Sequence, residues 1–389
     1  MDIINYARQD VNQDDIDSVV EILQSDMLTQ GPVGIKFEHT IAKYCSAKYA
    51  VSSNSATSSL HISCLALNVK KGDIVWTVPN TFVASANCAL YCGADIDFVD
   101  IDPLTFNMCP SQLENKLIKA EKIGKLPKVV IPVHLCGQPC NMEAIHKLSI
   151  KYNFKIIEDA SHAIGGKYKN KSIGNCEYSD ITVFSFHPVK IITSGEGGMA
   201  VTNDENLYKR MKLLRSHGIT NIKSDMEPRP KKQIWNYQQI DLGFNYRMTD
   251  IQSALGISQM SRLDEFVKKR HSIADKYNKH LSDSFLNKPF QHEDSYSAYH
   301  LYVIRLKIDK INKTHSQVYE NLHNAGIAVN LHYIPVYRHP YYENKGFKEG
   351  YCPEAESYFN EALSIPMYPA LSNDQQDRVI EVLNTHIDK

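Results

Sequence analysis

The stretch "PKVVIPVHLCGQPCNMEAIHKLSIKYNFKIIED", Pro127–Asp159, decides the fold class. "PKVVIPVHL" and "FKIIED" are short apolar runs that read as strands, and "NMEAIHKLSIKYN" between them reads as a helix. Two strands joined through a helix lie parallel in one sheet. The pattern extends upstream. "KYAVSS" is a strand followed by the helical "TSSLHISCLALNV", and "GDIVWTVPNTFVASANCALYCGADIDFVDID" reads strand, loop, helix, strand. Downstream, "DITVFSF" and "GGMAVT" are strands, and the helix "DENLYKRMKLLRSHG" ends at a glycine stop. Near the start, "NQDDIDSVVEILQS" places Ile16, Val19, Val20 and Leu23 on one helical face behind a capping Asn12 or Asp14. Strands alternating with amphipathic helices imply an α/β protein with a mostly parallel sheet.

The texture changes after about residue 245. "MTDIQSALGISQMSRLDEFVKKRHSIADKYNKHL" reads as one long helix, and beyond it strands and helices alternate with short polar links. A chain of 389 residues exceeds one ordinary core. The expected division is a large domain over 1–248 and a smaller α/β domain over 249–389, entered through that helix.

Composition narrows the function classes. The net charge of −1 gives no reason to expect nucleic acid or an anionic membrane as partner. No apolar run approaches a membrane span, and the acidic, polar "MDIINYARQDVNQDD" does not read as a secretory signal. Nine scattered cysteines suggest reduced thiols and a cytoplasmic protein. The pairs Cys88/Cys92 and Cys136/Cys140 match neither redox nor zinc spacing and are expected to be small buried apolar residues, with no metal. Neither a GxxxxGK[ST] loop nor a GxGxxG fingerprint occurs.

Three places offer chemistry. In "SSNSATSSL" the amides of Ala56 and Thr57 open a helix and could hold a phosphate; ordinary capping is the plainer role. "IIEDASHA" ends a strand with Asp159, followed by His162; a helix cap and a core histidine are the plainer roles. "TVFSFHPVKIITSGEGGMAVTND", Thr182–Asp204, carries Lys190 among Phe184, Phe186, Val189, Ile191 and Ile192. An apolar setting favours a neutral, nucleophilic amine, whereas a lysine snorkelling to water is the plainer role. Phe82 in "NTFVASAN" could stack on a ring or simply fill the core. Together these supply a phosphate cradle, a carboxylate and a Schiff-base lysine, the three requirements of pyridoxal phosphate.

The chain also resembles the DegT/DnrJ/EryC/StrS sugar aminotransferases over nearly its whole length. The resemblance rests on "LTQGPVGIKFE", "NSATSSL", "TVPNTFVASAN", "GADIDFVDID", "VHLCGQP", "EDASHAIGG", the Lys190 stretch, "RSHGI", "LGFNYRMTDIQSALGISQ", "NLHYIPVY" and "SIPMYP", in that order. It implies the fold-type-I pyridoxal-phosphate transferase fold, with a seven-stranded large-domain sheet. It implies pyridoxal 5'-phosphate bound to Lys190 as a Schiff base, Asp159 at the pyridine nitrogen, His162 near the ring hydroxyl and Phe82 stacked on the ring. Ala56, Thr57 and Ser185 would bind the phosphate. Asn245 would reach across from a partner subunit, making a homodimer with shared sites. Tyr6, Met27, Leu28, Thr29, His332 and Tyr333 would line the nucleotide-sugar pocket.

Within the family, "NSATSSL" and "SFHPVKIITSGEGG" are most similar to the members of pseudaminic acid biosynthesis. Those members aminate C4 of a UDP-linked 4-keto-6-deoxy N-acetyl sugar, with glutamate as the expected donor. Ile191 and Ile334 stand where such relatives often carry proline and lysine. Other nucleotide 4-keto sugars, of bacillosamine, legionaminic acid or perosamine type, are the alternative substrates. A sugar dehydratase relative would replace the lysine with histidine, and an inactive sugar-binding relative would not need it.

Overall fold

The computed structural model describes residues 3–228 and 233–387. Its centre is a sheet of seven strands: β1 Tyr49–Ser53, β2 Ile74–Thr77, β3 Asp95–Phe98, β4 Val129–Ile131, β5 Lys155–Asp159, β6 Ile181–Ser185 and β7 Gly198–Thr202. Their spatial order is β1-β7-β6-β5-β4-β2-β3. β3, β2, β4, β5 and β6 pair in parallel, and β7 pairs antiparallel with both β6 and β1. The helices α1 Gln13–Leu23, α2 Pro32–Cys45, α3 Ala56–Ala66, α4 Ala84–Tyr91, α5 Pro110–Lys122, α6 Met142–Tyr152 and α7 Glu205–Arg215 precede, connect or follow these strands. β4, β5 and β6 are buried on both faces apart from Lys155, as parallel strands covered by helices must be.

The register puts Ser53 and Ser185 both opposite Gly198, and Asp159 opposite Val183. The ends of β1, β5 and β6 and the start of β7 therefore meet at one edge. A second core gathers Ile4, Ile273, Tyr277, Leu286, Tyr302, Ile304, Leu322, Val379 and Leu383 around a small antiparallel sheet. That sheet is β8 Leu286–Asn287, β9 Tyr302–Leu306 and β10 Ala362–Ile365.

Two readings of the sequence change, the single long helix and the burial of Cys92 and Cys136. The long helix after Met248 is two helices, α8 Asp250–Met260 and α9 Leu263–His280. Arg262 makes the break. Its guanidinium turns away to bind Asp10 at 2.8 Å and the fully buried Asp15, and Gln259 donates to Asp15 at 2.7 Å. For the same reason α1 points Asp15 and Ile22 inward and leaves Ile16, Val20 and Leu23 exposed. The apolar face of α1 thus looks out of this chain. The N-terminal residues also cross to the second core, where Ile4 bonds Gly326 and Ala328 at 2.9 Å. All nine cysteines are free thiols, Cys88 and Cys140 buried, Cys92 and Cys136 partly accessible. Among the described residues, no helix is long and apolar enough to cross a membrane, and no group of side chains could hold a metal ion.

Candidate active site

The strand ends open onto a cavity of about 980 Å³, walled on the other side by residues 330–334. Lys190 reaches it from the loop between β6 and β7. Phe186 pins that loop at both ends, its amide donating to Gly197 at 2.9 Å and its carbonyl accepting from Ser194 at 3.0 Å. Ile191 and Ile192 are buried and anchor the loop, which leaves Lys190 facing the open volume. Protein surrounds that volume, so burial pulls the ammonium pKa down to about 8, opposed by the charge of Asp159. Gly195 adopts the left-handed φ of +80° that the turn requires. Gly197 and Gly198 serve close approach instead. A Cβ on Gly197 would lie 2.7 Å from Met248, and one on Gly198 would lie 2.5 Å from the Ala56 amide nitrogen.

Asp159 is buried at the end of β5. Its carboxylate accepts from Ser85 Oγ at 2.6 Å and from the Ser161 amide at 3.1 Å. Ser85 Oγ in turn lies 2.8 Å from Thr81 Oγ1. Ser55 caps α3 and bonds the Ser58 amide at 3.1 Å, while Ser58 Oγ donates to Asn54 at 2.6 Å. The amides of Ala56 and Thr57 have no acceptor among the described residues. The dipole of α3 adds to their pull on an anion.

Neutral imidazoles and a tyrosine complete the wall. His162 Nε2 lies 3.4 Å from the Tyr333 hydroxyl, and its buried Nδ1 has no partner among the described residues. Burial and the charge of Lys190 hold the His162 pKa well below the usual range. The same two causes bring His332 down to about 3, and His332 Nδ1 lies 2.8 Å from Ser364 Oγ. Tyr6 packs against His332 with ring centroids 5.3 Å apart. Phe82 is 59% exposed, so most of its ring is left open in the cavity wall.

Ala56, Thr57, Phe82, Asp159, His162, Ser185, Lys190, Tyr6, His332 and Tyr333 are therefore brought together. Asn245, Met27, Leu28 and Thr29 are not. Asn245 is exposed and bridges Ser216. Met27 and Leu28 are exposed, and the Leu28 carbonyl is tied to the Asp250 amide at the start of α8. Sequence reasoning missed Ser85, Thr81 and His300. The first two lie within "TVPNTFVASAN", where only a tertiary contact distinguishes them from ordinary helix-start residues.

The DegT/DnrJ/EryC1/StrS aminotransferase family model matches residues 9–384. The chain belongs to the DegT/DnrJ/EryC1/StrS aminotransferase family. It is a pyridoxal-phosphate-dependent sugar aminotransferase, which takes a nucleotide sugar and an amino donor. Similar family members include the UDP-4-amino-4,6-dideoxy-N-acetyl-beta-L-altrosamine transaminase of Campylobacter jejuni serotype O:23/36, 36% identical over all of this chain and 98% of that one. The spore coat polysaccharide biosynthesis protein SpsC of Bacillus subtilis is 36% identical over 97% of this chain and 95% of its own. Among solved structures, Helicobacter pylori PseC, an aminotransferase of pseudaminic acid biosynthesis, matches with a TM-score of 0.89 and 29% identity over 99% of both chains. The pyridoxal-phosphate form of the sugar aminotransferase Spr1654 from Streptococcus pneumoniae matches at 0.87 and 28% over 98% of both.

The residues present fit the family's cofactor. Two acceptor-less amides suit its phosphate, the open Phe82 ring offers a stacking face, and the unpartnered His162 Nδ1 shows a polar wall with hydrogen-bonding capacity to spare.

Proposed function

We propose that this chain moves an amino group from glutamate to C4 of a UDP-linked 4-keto-6-deoxy N-acetyl sugar. The product would be UDP-4-amino-4,6-dideoxy-N-acetyl-β-L-altrosamine, made by a cytoplasmic homodimer. What carries the reaction is one observation: a lysine with its pKa lowered to about 8 shares a cavity with a serine-anchored carboxylate and a helix N-terminus. What supports the sugar is the 36% identity to the Campylobacter enzyme over the full chain.

Pyridoxal phosphate, when bound, supplies an aldehyde for the amino group and a ring that accepts the electrons of the broken C–H bond. Lys190 is the residue that would hold the cofactor's aldehyde. Its neutral nitrogen would take the proton from the donor Cα and return a proton to sugar C4 from the same side, which would fix one configuration. Asp159, held by Ser85 and the Ser161 amide, would keep a proton at the pyridine nitrogen. Ala56, Thr57 and Ser185 would bind the phosphate, Phe82 would stack on the ring, and His162 would face the ring hydroxyl. Tyr6, His332 and Tyr333 would line the sugar side.

A homodimer would account for the four residues outside the cavity. Ile16, Val20 and Leu23 of α1, and Met27 and Leu28 shortly after it, are exposed apolar side chains that a second copy would cover. Asn245 would then reach the partner's phosphate site, with Met27–Thr29 beside the partner's sugar. A GDP-linked 4-keto sugar is the second reading, favoured by 33% identity to the GDP-perosamine synthase of Caulobacter vibrioides over 98% of this chain. Incubating the enzyme with pyridoxal phosphate, glutamate and a panel of UDP-, GDP- and dTDP-linked 4-keto sugars tests both. NMR of the product from the UDP substrate should show a single configuration at C4, that of the altrosamine. Preference for a GDP sugar would replace the first reading with the second.

A further inference from the structure

His300 belongs to no motif that the sequence singled out, yet it is buried in the wall of the cavity that holds Lys190. It is 2% exposed, and its ring forms part of the cavity wall. Its ring centroid lies 4.3 Å from that of His162. Distant elements deliver it there. Gly137 lets three backbones meet, since a Cβ on it would sit 2.9 Å from both the His162 carbonyl oxygen and the Tyr299 amide. From the opposite side, the buried guanidinium of Arg270 donates to the carbonyls of Tyr299 and His300 at 3.1 Å.

His162 itself is loosely bonded. Its Nδ1 has no partner among the described residues, and its Nε2 has one contact at 3.4 Å. A hydrogen bond of that length does not fix a ring. What remains are its ring neighbours, His300 at 4.3 Å and Tyr333 at 6.3 Å. The Nδ1 of His300 is also buried without a partner among the described residues, so the two imidazoles meet as packed rings and not as a bonded pair. Burial and the nearby cations keep both neutral, so no repulsion separates them.

We propose that His300 is a positioning residue: its ring sets the orientation of His162, and through it the polar group that faces the cofactor. This rests on the reading of His162 as a cofactor-side residue. His300 enters the wall from the chain just ahead of β9 of the small sheet.

The test uses the full chain and the variants His300→Ala, His300→Phe, His162→Gln and the double variant His162→Gln/His300→Ala. In the cofactor-free protein, imidazole NMR of His162, assigned through its absence in His162→Gln, should show one ring orientation, by its NOE pattern, in the wild type and in His300→Phe. His300→Ala should give averaged signals. On adding pyridoxal phosphate, His300→Ala should bind about tenfold more weakly and shift the visible absorbance maximum, and His300→Phe should recover most of both. In the His162→Gln background, removing His300 should add no further loss of affinity. Unchanged His162 signals in His300→Ala, or additive losses in the double variant, would overturn the proposal. The NMR arm needs no cofactor, so a wild-type chain that failed to bind pyridoxal phosphate would count against the proposed function and leave this arm decisive.

Discussion

Lys190 is where residue-scale chemistry is easiest to check. Its amine is protonated below about pH 8 and neutral above it. A protonated amine cannot attack an aldehyde, so capture of pyridoxal phosphate by the cofactor-free chain should accelerate as pH rises to about 8 and then level off. Stopped-flow absorbance across pH 6–10 measures this, and a rise continuing toward the ordinary lysine range would contradict the burial argument. Lys190→Ala should lower turnover by at least about a thousandfold and lose the covalent absorbance band. Ser85→Ala removes a 2.6 Å bond to a buried carboxylate, worth about 1.5–3 kcal/mol, so turnover should fall by about tenfold or more. Asp159→Asn should keep some cofactor and lose more rate than Ser85→Ala does. The reverse order would place the important group at Ser85.

At the level of elements, the site depends on backbones that approach closely. Gly198→Ala would drive a methyl group into the start of α3, 2.5 Å from the Ala56 amide. Affinity for pyridoxal phosphate, read by equilibrium dialysis, should drop about tenfold or more while the far-UV spectrum stays native. The α8–α9 break is a second such point. Arg262→Gln leaves Asp15, wholly buried, without its cation. Removing one partner of a buried pair is destabilising by about 3–5 kcal/mol, which a urea titration would show as a lower midpoint at unchanged slope. An unchanged midpoint would mean that Gln259 and Ser258 suffice to hold Asp15, since both donate to it.

Across the whole molecule, the exposed apolar face of α1 is the surface that the proposed homodimer would cover. On that proposal, Val20→Asp with Leu23→Asp should yield a monomer by light scattering, and turnover should fall with it because Asn245 would no longer reach a second cavity. Mixing Lys190→Ala with Asn245→Ala, each nearly inactive alone, should restore turnover, since mixed dimers own one site with both native residues. No recovery after subunit exchange would argue for sites completed within one chain.

Much of this was legible in the sequence. The alternation of strands and helices around Pro127–Asp159 determined the α/β class, because the two periodicities do not overlap. Asp159 and the Ala56–Thr57 turn were legible because one ends a strand and the other starts a helix, and Lys190 because its loop follows a strand end; such positions share one edge of a parallel sheet. Other features were not. The break at Arg262 follows from Asp10 and Asp15, some 250 residues earlier in the chain. Periodicity gave α1 an apolar face but not its direction, since the partner that buries a face lies elsewhere in the chain or in another copy. Ser85 and His300 look like ordinary polar residues until folding places them against Asp159 and His162. The sequence by itself determined which elements form and which chemical groups stand at their ends. Only the tertiary structure decided which of those groups meet, because contacts between distant segments are set by packing, which local pattern does not encode.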